Sequence, residues 1–151
     1  MHVHGGAARG TFDVAIAAGF LDRLIARAMG FPRAESNVPV TLIVSMNGAT
    51  QEWRRTIGTR AFHTTQFTRA QRSFERVGMM RFAFALDVEK GQPRYRQQQV
   101  VFAGIPLPRA FAPTVRAVAS ADTDTSWVVQ VEISVPALGL IARYGGRMEL
   151  A

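Results

Sequence analysis

The sequence predicts a mainly β protein of the α+β kind: a strongly curved antiparallel sheet or incomplete β-barrel of about eight to nine strands, with one N-terminal amphipathic helix. Three observations carry this expectation. From Val38 onward apolar residues recur at every second position, the period of a half-buried strand. Only residues 19–32, GFLDRLIARAMGFP, repeat at three- and four-residue steps. Turn signals separate the alternating runs, and nothing resembles the strand–helix–strand rhythm of a parallel sheet. The length of 151 residues, with 48% apolar and 19% charged residues, suits a single domain over 1–151 with a sizeable core.

In TFDVAI, residues 11–16, Phe12, Val14 and Ile16 share one side and Thr11, Asp13 and Ala15 the other. Phe12, Ile16 and Phe20 also fit a four-residue step, so a helix from Asp13 with Gly19 inside it is the alternative, and the strand is preferred. In the helix that follows, Phe20, Leu21, Leu24, Ile25 and Ala28 form the apolar face, opposite Asp22, Arg23 and Arg27. Gly30 supplies a left-handed cap and Pro32 a stop. Val38, Val40, Leu42, Val44 and Met46 then alternate into Asn47-Gly48, expected as a two-residue turn with both residues at positive φ. Residues 50–57 form the partner strand, Gly58-Thr59 the next turn, residues 61–68 a further strand and Arg69–Arg72 a polar connection. Met80, Phe82, Phe84, Leu86 and Val88 point inward, and EKGQP turns the chain into RYRQQQVVFAGI. Trp127, Val129, Val131, Ile133 and Val135 face away from Gln130, Glu132 and Ser134. Leu140, Ala142, Tyr144, Met148 and Leu150 share the last face.

Pro106 and Pro108 donate to no ladder, so the strand ending near Phe102 must stop or reach an edge by Gly104. Ile105, Leu107 and Ala112 precede prolines and are held extended, so residues 105–113 are expected as an extended arm. On that arm Leu107 and Phe111 turn in toward the helix face bearing Phe20 and Leu24, and Arg109 stands at the rim, placed to meet a carboxylate or phosphate head group.

The net charge of +7 raises nucleic acid as a partner, but seventeen of the eighteen basic residues are arginines scattered from Arg9 to Arg147, with Arg54-Arg55 the one adjacent pair. Specific nucleic-acid binding is not expected from that distribution. The lack of cysteine excludes disulfides, thiolate nucleophiles and Cys-ligated metals. No phosphate loop, nucleophile elbow or dinucleotide-binding glycine motif is present. No run of roughly 18 apolar residues and no secretory signal stand out, so the expectation is a cytoplasmic protein without a transmembrane segment.

Glu75 sits among Phe74, Val77 and Met79, and a buried carboxylate there would have a raised pKa and acid–base capacity. The plainer alternative is an exposed glutamate, or one paired with Arg54, Arg76 or Arg81. Trp53 and Tyr144 suit either a core or the stacking of a ligand. His2, His4 and His63 hold a metal only if the fold gathers all three, so no metal and no cofactor are expected. DTDTS, residues 122–126, resembles the start of a calcium loop, but Trp127 stands at the glycine position and Ile133 at the glutamate position, which leaves a hairpin turn.

The order RGTFDV, FLDRLIARAMGFP, VPVTL, EWRRTIGTRAF, FERVG, GIPLPRAFAP and LGLIARYGGRMEL resembles the bacterial family called domain of unknown function 4166, over nearly the whole chain. The most specific parts are Pro106-Leu107-Pro108 with Pro113, Trp53-Arg54, Glu75 with Gly78, and Gly139 with Tyr144 and Gly146. Members occur alone or appended to oxidoreductases of the saccharopine-dehydrogenase-like or short-chain-dehydrogenase-like kinds, so the resemblance implies an accessory role and supplies no catalytic residues.

Three functions follow, in order of preference. The first is a binding module holding an apolar or amphipathic small molecule inside the curved sheet, with Trp53, Glu75, Leu107, Arg109, Phe111 and Tyr144 as candidate contacts. The second is an accessory domain for an oxidoreductase, with a solid core and an exposed apolar patch. The third is an enzyme using Glu75 or His63, which requires those side chains to converge.

Overall fold

The computed structural model describes residues 5–69, 72–89 and 92–151. The chain runs β1 (Gly6–Ile16), α1 (Phe20–Ala28), β2 (Glu35–Asn47), β3 (Thr50–Ile57), β4 (Arg60–Arg69), β5 (Arg72–Val77), β6 (Met80–Glu89), β7 (Gln92–Phe102), β8 (Ile105–Pro106), β9 (Thr114–Ala121), β10 (Ser126–Val135) and β11 (Gly139–Leu150). All eleven strands belong to one antiparallel sheet, ordered β8-β7-β6-β5-β4-β3-β2-β1-β11-β10-β9. Two meanders, β2–β8 and β9–β11, are thus joined through β1, which pairs β2 on one side and β11 on the other. No ladder among the described residues joins β7 or β8 to β9, so the sheet is not closed. A side chain spans the gap instead. Gln97 on β7 donates from Nε2 to the Pro113 carbonyl at 2.7 Å, and its Oε1 accepts from the Val115 N–H at 3.5 Å.

Two of the eleven strands carry little strand signal in sequence. β8 is a two-residue edge strand, and β9, TVRAVASA, exposes most of its length and has small alanines at alternate positions. The hairpin Ala103-Gly104, both at positive φ, ends β7 where Pro106 requires an end, and β8 is the sheet edge.

Alternation sets the inner face of most strands as expected. Phe12 and Val14 are buried on β1, Val38, Val40 and Val44 on β2, Met80 and Phe82 on β6, Val131, Ile133 and Val135 on β10. The first strand, not a helix from Asp13, is what forms. On β11 Ala142, Tyr144 and Met148 are buried as expected, but a bulge changes the face at its start: Ile133 pairs Ala142 and Ser134 pairs Leu140, so Ile141 is the extra residue and lies buried while Leu140 turns to solvent. Gly10 and Gly146 serve close approach between β1 and β11. A Cβ on Gly10 would run into the Arg147 carbonyl, and one on Gly146 into the Thr11 carbonyl, so these strands bend where only glycine fits.

The hairpin after β2 is shifted by one residue. Gly48-Ala49 form the two-residue loop, with Gly48 at φ 61°, Asn47 paired to Thr50 and Asn47 outside the positive-φ set. This register places Val40 opposite the buried Ile57, where a loop at Asn47-Gly48 would have set it against Arg55. Gly58-Thr59 turn as expected, and residues 122–125 form the loop between β9 and β10. Asp122 accepts an ion pair from Arg147 at 3.2 Å, and Thr123 Oγ1 takes the Ser126 N–H. Residues 70–71 of the polar connection and 90–91 of the EKGQP turn lie outside the described residues, as do His2, His4 and Lys90.

The helix is the largest departure. Its expected core face points outward: Phe20 is 81% exposed, Leu21 52% and Leu24 53%, while Ala26 and Met29 are buried. The C-terminus explains the rotation. Gly30, at φ 77°, donates to the Arg27 carbonyl and Phe31 donates to the Ala26 carbonyl at 2.9 Å, a Schellman turn. That turn throws Phe31 into the core over Ala26, so the arc bearing Ala26 and Met29 must face inward, and Phe20 and Leu24, roughly 100° or more around the helix, cannot. Phe31 packs on Phe62 and on Tyr144, with ring centroids 5.9 and 5.5 Å apart. The helix and its C-terminal turn therefore plug one end of the sheet.

The proline arm lies at this same end, where the Ala110 carbonyl accepts from the Ala137 N–H. It is extended only to Pro108; residues 109–111 form a turn closed by Phe111 and Ala112 N–H groups on the Pro108 carbonyl. That turn reverses the expected direction of Phe111, while Leu107 turns in as expected. Leu107 packs against the core, Ala112 and Pro113 are buried, and Phe111 is 59% exposed rather than tucked in.

Candidate functional site

At the other end of the sheet the inner face does not fill. A cavity of about 310 Å³ lies among the side chains of β1–β5 and β9–β11. Its lining comes from the first residues of β1 and the last of β11, so the space opens away from the helical plug. The two walls differ. On the β9–β11 side Ala117, Trp127, Val129, Val131 and Met148 form an apolar wall. On the β3–β5 side stand Trp53, Arg55, Gln66 and Glu75. Arg55 and Glu75 are the only charged residues of the lining among the described residues.

Strand parity places each of them. The β2–β3 register sets Trp53 opposite Val44 and Arg55 opposite Leu42, on the face that Val40 and Ile57 bury. The Arg55 guanidinium sits 5.1 Å from the Trp53 ring centroid, a cation–π contact that holds the charge against the wall. Trp53 Nε1 donates to Gln51 Oε1 at 3.0 Å. Gln66 and Glu75 are direct cross-strand partners on β4 and β5. Between Gln66 and Phe62 on the same face, Thr64 Oγ1 is buried without a hydrogen-bond partner among the described residues.

Burial pushes the Glu75 carboxyl above its ordinary 4.5, while Arg55 and a hydrogen bond from Gln66 pull it back down. Tyr144, which lines the cavity from β11, is raised by burial and by Glu75 and lowered by Arg55. Its hydroxyl therefore keeps its proton and is a neutral donor at neutral pH.

Of the residues singled out in the sequence, Trp53, Glu75 and Tyr144 meet at this cavity. Leu107, Arg109 and Phe111 stand at the plugged end, outside its lining. Arg54, Arg76 and Arg81, the arginines considered as partners of Glu75, have the opposite parity; Arg54 pairs with Glu52 at 3.4 Å on the outer face. His63 also faces outward, 3.9 Å from Glu52, so Glu75 and His63 do not converge. Arg55 and Gln66 were missed. Parity could have found Arg55, since it lies two residues from both Trp53 and Ile57 on an inward face. Gln66 required the β4–β5 register, which no turn signal fixed.

No curated protein and no solved structure matches the sequence. The order of motifs and their extent are nonetheless those of a single family: with the family model matching residues 3–148, the chain belongs to the domain of unknown function DUF4166.

Proposed function

We propose that the protein is a binding module in which the sheet acts as an incomplete barrel around an amphipathic small molecule. The observation that carries this is the unfilled space of about 310 Å³, at the lower end of the roughly 300–1,000 Å³ range of ligand pockets. Cores otherwise pack to near crystal density, and an apolar hollow open at one end holds water that the apolar body of a ligand would displace favourably. The apolar body would lie against Trp127, Val129 and Met148, and the polar end against Arg55 and Glu75.

The test is titration of a fluorescent fatty-acid probe against the wild type, Val129→Trp and Arg109→Ala. Saturable single-site binding is expected, abolished when the tryptophan fills the cavity and unchanged by the substitution at the plugged end. Absence of saturable binding by the wild type, or binding that survives Val129→Trp in a protein of normal melting temperature, removes the reading.

A second reading, an interaction domain for an oxidoreductase, is supported by one observation, the exposed Phe20, Leu21 and Leu24 on α1. The hollow interior weighs against the solid core that this reading requires. An enzyme using Glu75 or His63 draws no support from a convergence of the two, since their side chains lie on opposite faces of the sheet.

A further inference from the structure

The two charges in the cavity define which polar end fits, and this rests on the container reading above. Arg55 on β3 and Glu75 on β5 are the only charged residues lining the cavity among those described. The uncharged groups around Glu75 are Gln66 beside it on β4, Phe82 beside it on β6 and Tyr144 from β11. No second cation lines the space among the described residues. A ligand amine would pair with Glu75 but meet Arg55 as a like charge, and a guanidinium, unlike a carboxyl, cannot change its protonation to relieve the repulsion. A phosphate dianion would bring two charges to one guanidinium. A carboxylate brings one charge, which Arg55 matches, but it then stands with the Glu75 carboxylate in a low-dielectric space. Two carboxylates sharing one guanidinium do not both stay ionised there; a carboxyl–carboxylate pair holding one proton is the stable arrangement.

We propose that the cavity takes a monocarboxylic acid with an apolar tail, its carboxylate on Arg55, and that binding draws one proton from solvent onto the pair formed by Glu75 and the ligand carboxyl. The balance is simple: one carboxylate and one proton enter, and no bond other than O–H forms. The burial that already favours protonated Glu75 lowers the cost of that uptake. The protonated carboxyl then donates to the other carboxylate, and the Tyr144 hydroxyl is a further neutral donor facing the cavity.

The experiment titrates decanoate and 1-decanol by calorimetry at pH 6 and pH 8, in two buffers of different ionisation enthalpy. For the wild type, decanoate affinity should fall by about tenfold or more from pH 6 to pH 8, with proton uptake approaching one per site at pH 8. Glu75→Gln should bind decanoate with the same affinity at both pH values and take up no proton. Arg55→Met should lose decanoate at least about tenfold while keeping 1-decanol, and Arg55→Lys should recover part of the loss. A wild-type profile as flat as that of Glu75→Gln overturns the proposal. Decanol binding as tightly as decanoate overturns the carboxylate and leaves the container standing. Failure of both ligands in the folded wild type removes the container as well.

Discussion

The two ends of the sheet use the same strands and the same alternation, yet one is solid and the other hollow. At the solid end Phe31 and Phe62 interlock with Phe12 and Tyr144, which also border the cavity, with centroid separations of 5.5 to 5.9 Å between the packed rings, and Met29 and Ile141 are buried with them. At the hollow end the inward positions hold Ala8, Ala117, Ala119 and several valines, with Arg55 and Glu75 among them. Parity decides which residues face in. Side-chain volume, and whether a helix covers the opening, decides whether the inside fills.

That contrast can be broken most forcefully at the solid end. Phe31→Ala should cost about 3–5 kcal/mol, since it removes a ring packed on two others and leaves a void the plug cannot collapse into. Val129→Ala on the cavity wall should cost far less, because its side chain already borders empty space. Urea unfolding of both variants checks the pair, and equal losses would mean that the hollow end is packed in solution.

A smaller, pH-dependent effect belongs to Glu75. Its folded-state pKa lies above the ordinary 4.5, so the folded protein holds the proton more tightly than the unfolded chain. The resulting stability is complete below pH 4.5 and is lost as pH rises through the raised value. Glu75→Gln should remove that decline, leaving the variant more stable than wild type at pH 8 by comparison with pH 4.5. Thermal unfolding across this window reads it, and parallel curves for the two proteins would place Glu75 in water.

The smallest effect is expected where the sequence promised a large one. Leu24→Ala should change stability by no more than about 0.5 kcal/mol, because the side chain is exposed on α1. A loss of about 2 kcal/mol or more, the ordinary cost of a buried leucine, would show the helix rotated to bury the stripe after all.

Much of the sheet was legible because a period of two survives in single strands such as MRFAFALDV and WVVQVEISV, and glycine turns punctuate them. The helix was legible as a helix and misleading as a surface. Its apolar stripe is read from five residues, whereas its orientation is fixed by Gly30 and Phe31 just beyond it. β9 escaped notice because an edge strand buries little and so selects few large apolar residues. The Ile141 bulge is equally silent, since an inserted residue that is itself apolar leaves the composition of the segment unchanged. For the site, Trp53, Glu75 and Tyr144 stood out by type. Their meeting at one cavity depended on β1 joining the two meanders, a pairing that no local pattern encodes.

That pairing has a kinetic side. β1 precedes and β11 follows the other strands of the sheet in the chain, yet they are neighbours from Ala8 opposite Leu150 to Ile16 opposite Ala142. During synthesis β1 can pair with β2 early, but its other edge waits for the remainder of the chain, on the order of ten seconds at roughly 5–20 residues per second. Such distant pairing places the protein among slow, high-contact-order folders, and the waiting edge is a template for any other strand that passes. On the outward-facing positions of that edge stand Arg9 and Asp13, charges that a non-native strand would have to accommodate. The strand that completes the sheet is thus also the step at which the nascent protein is most open to aggregation.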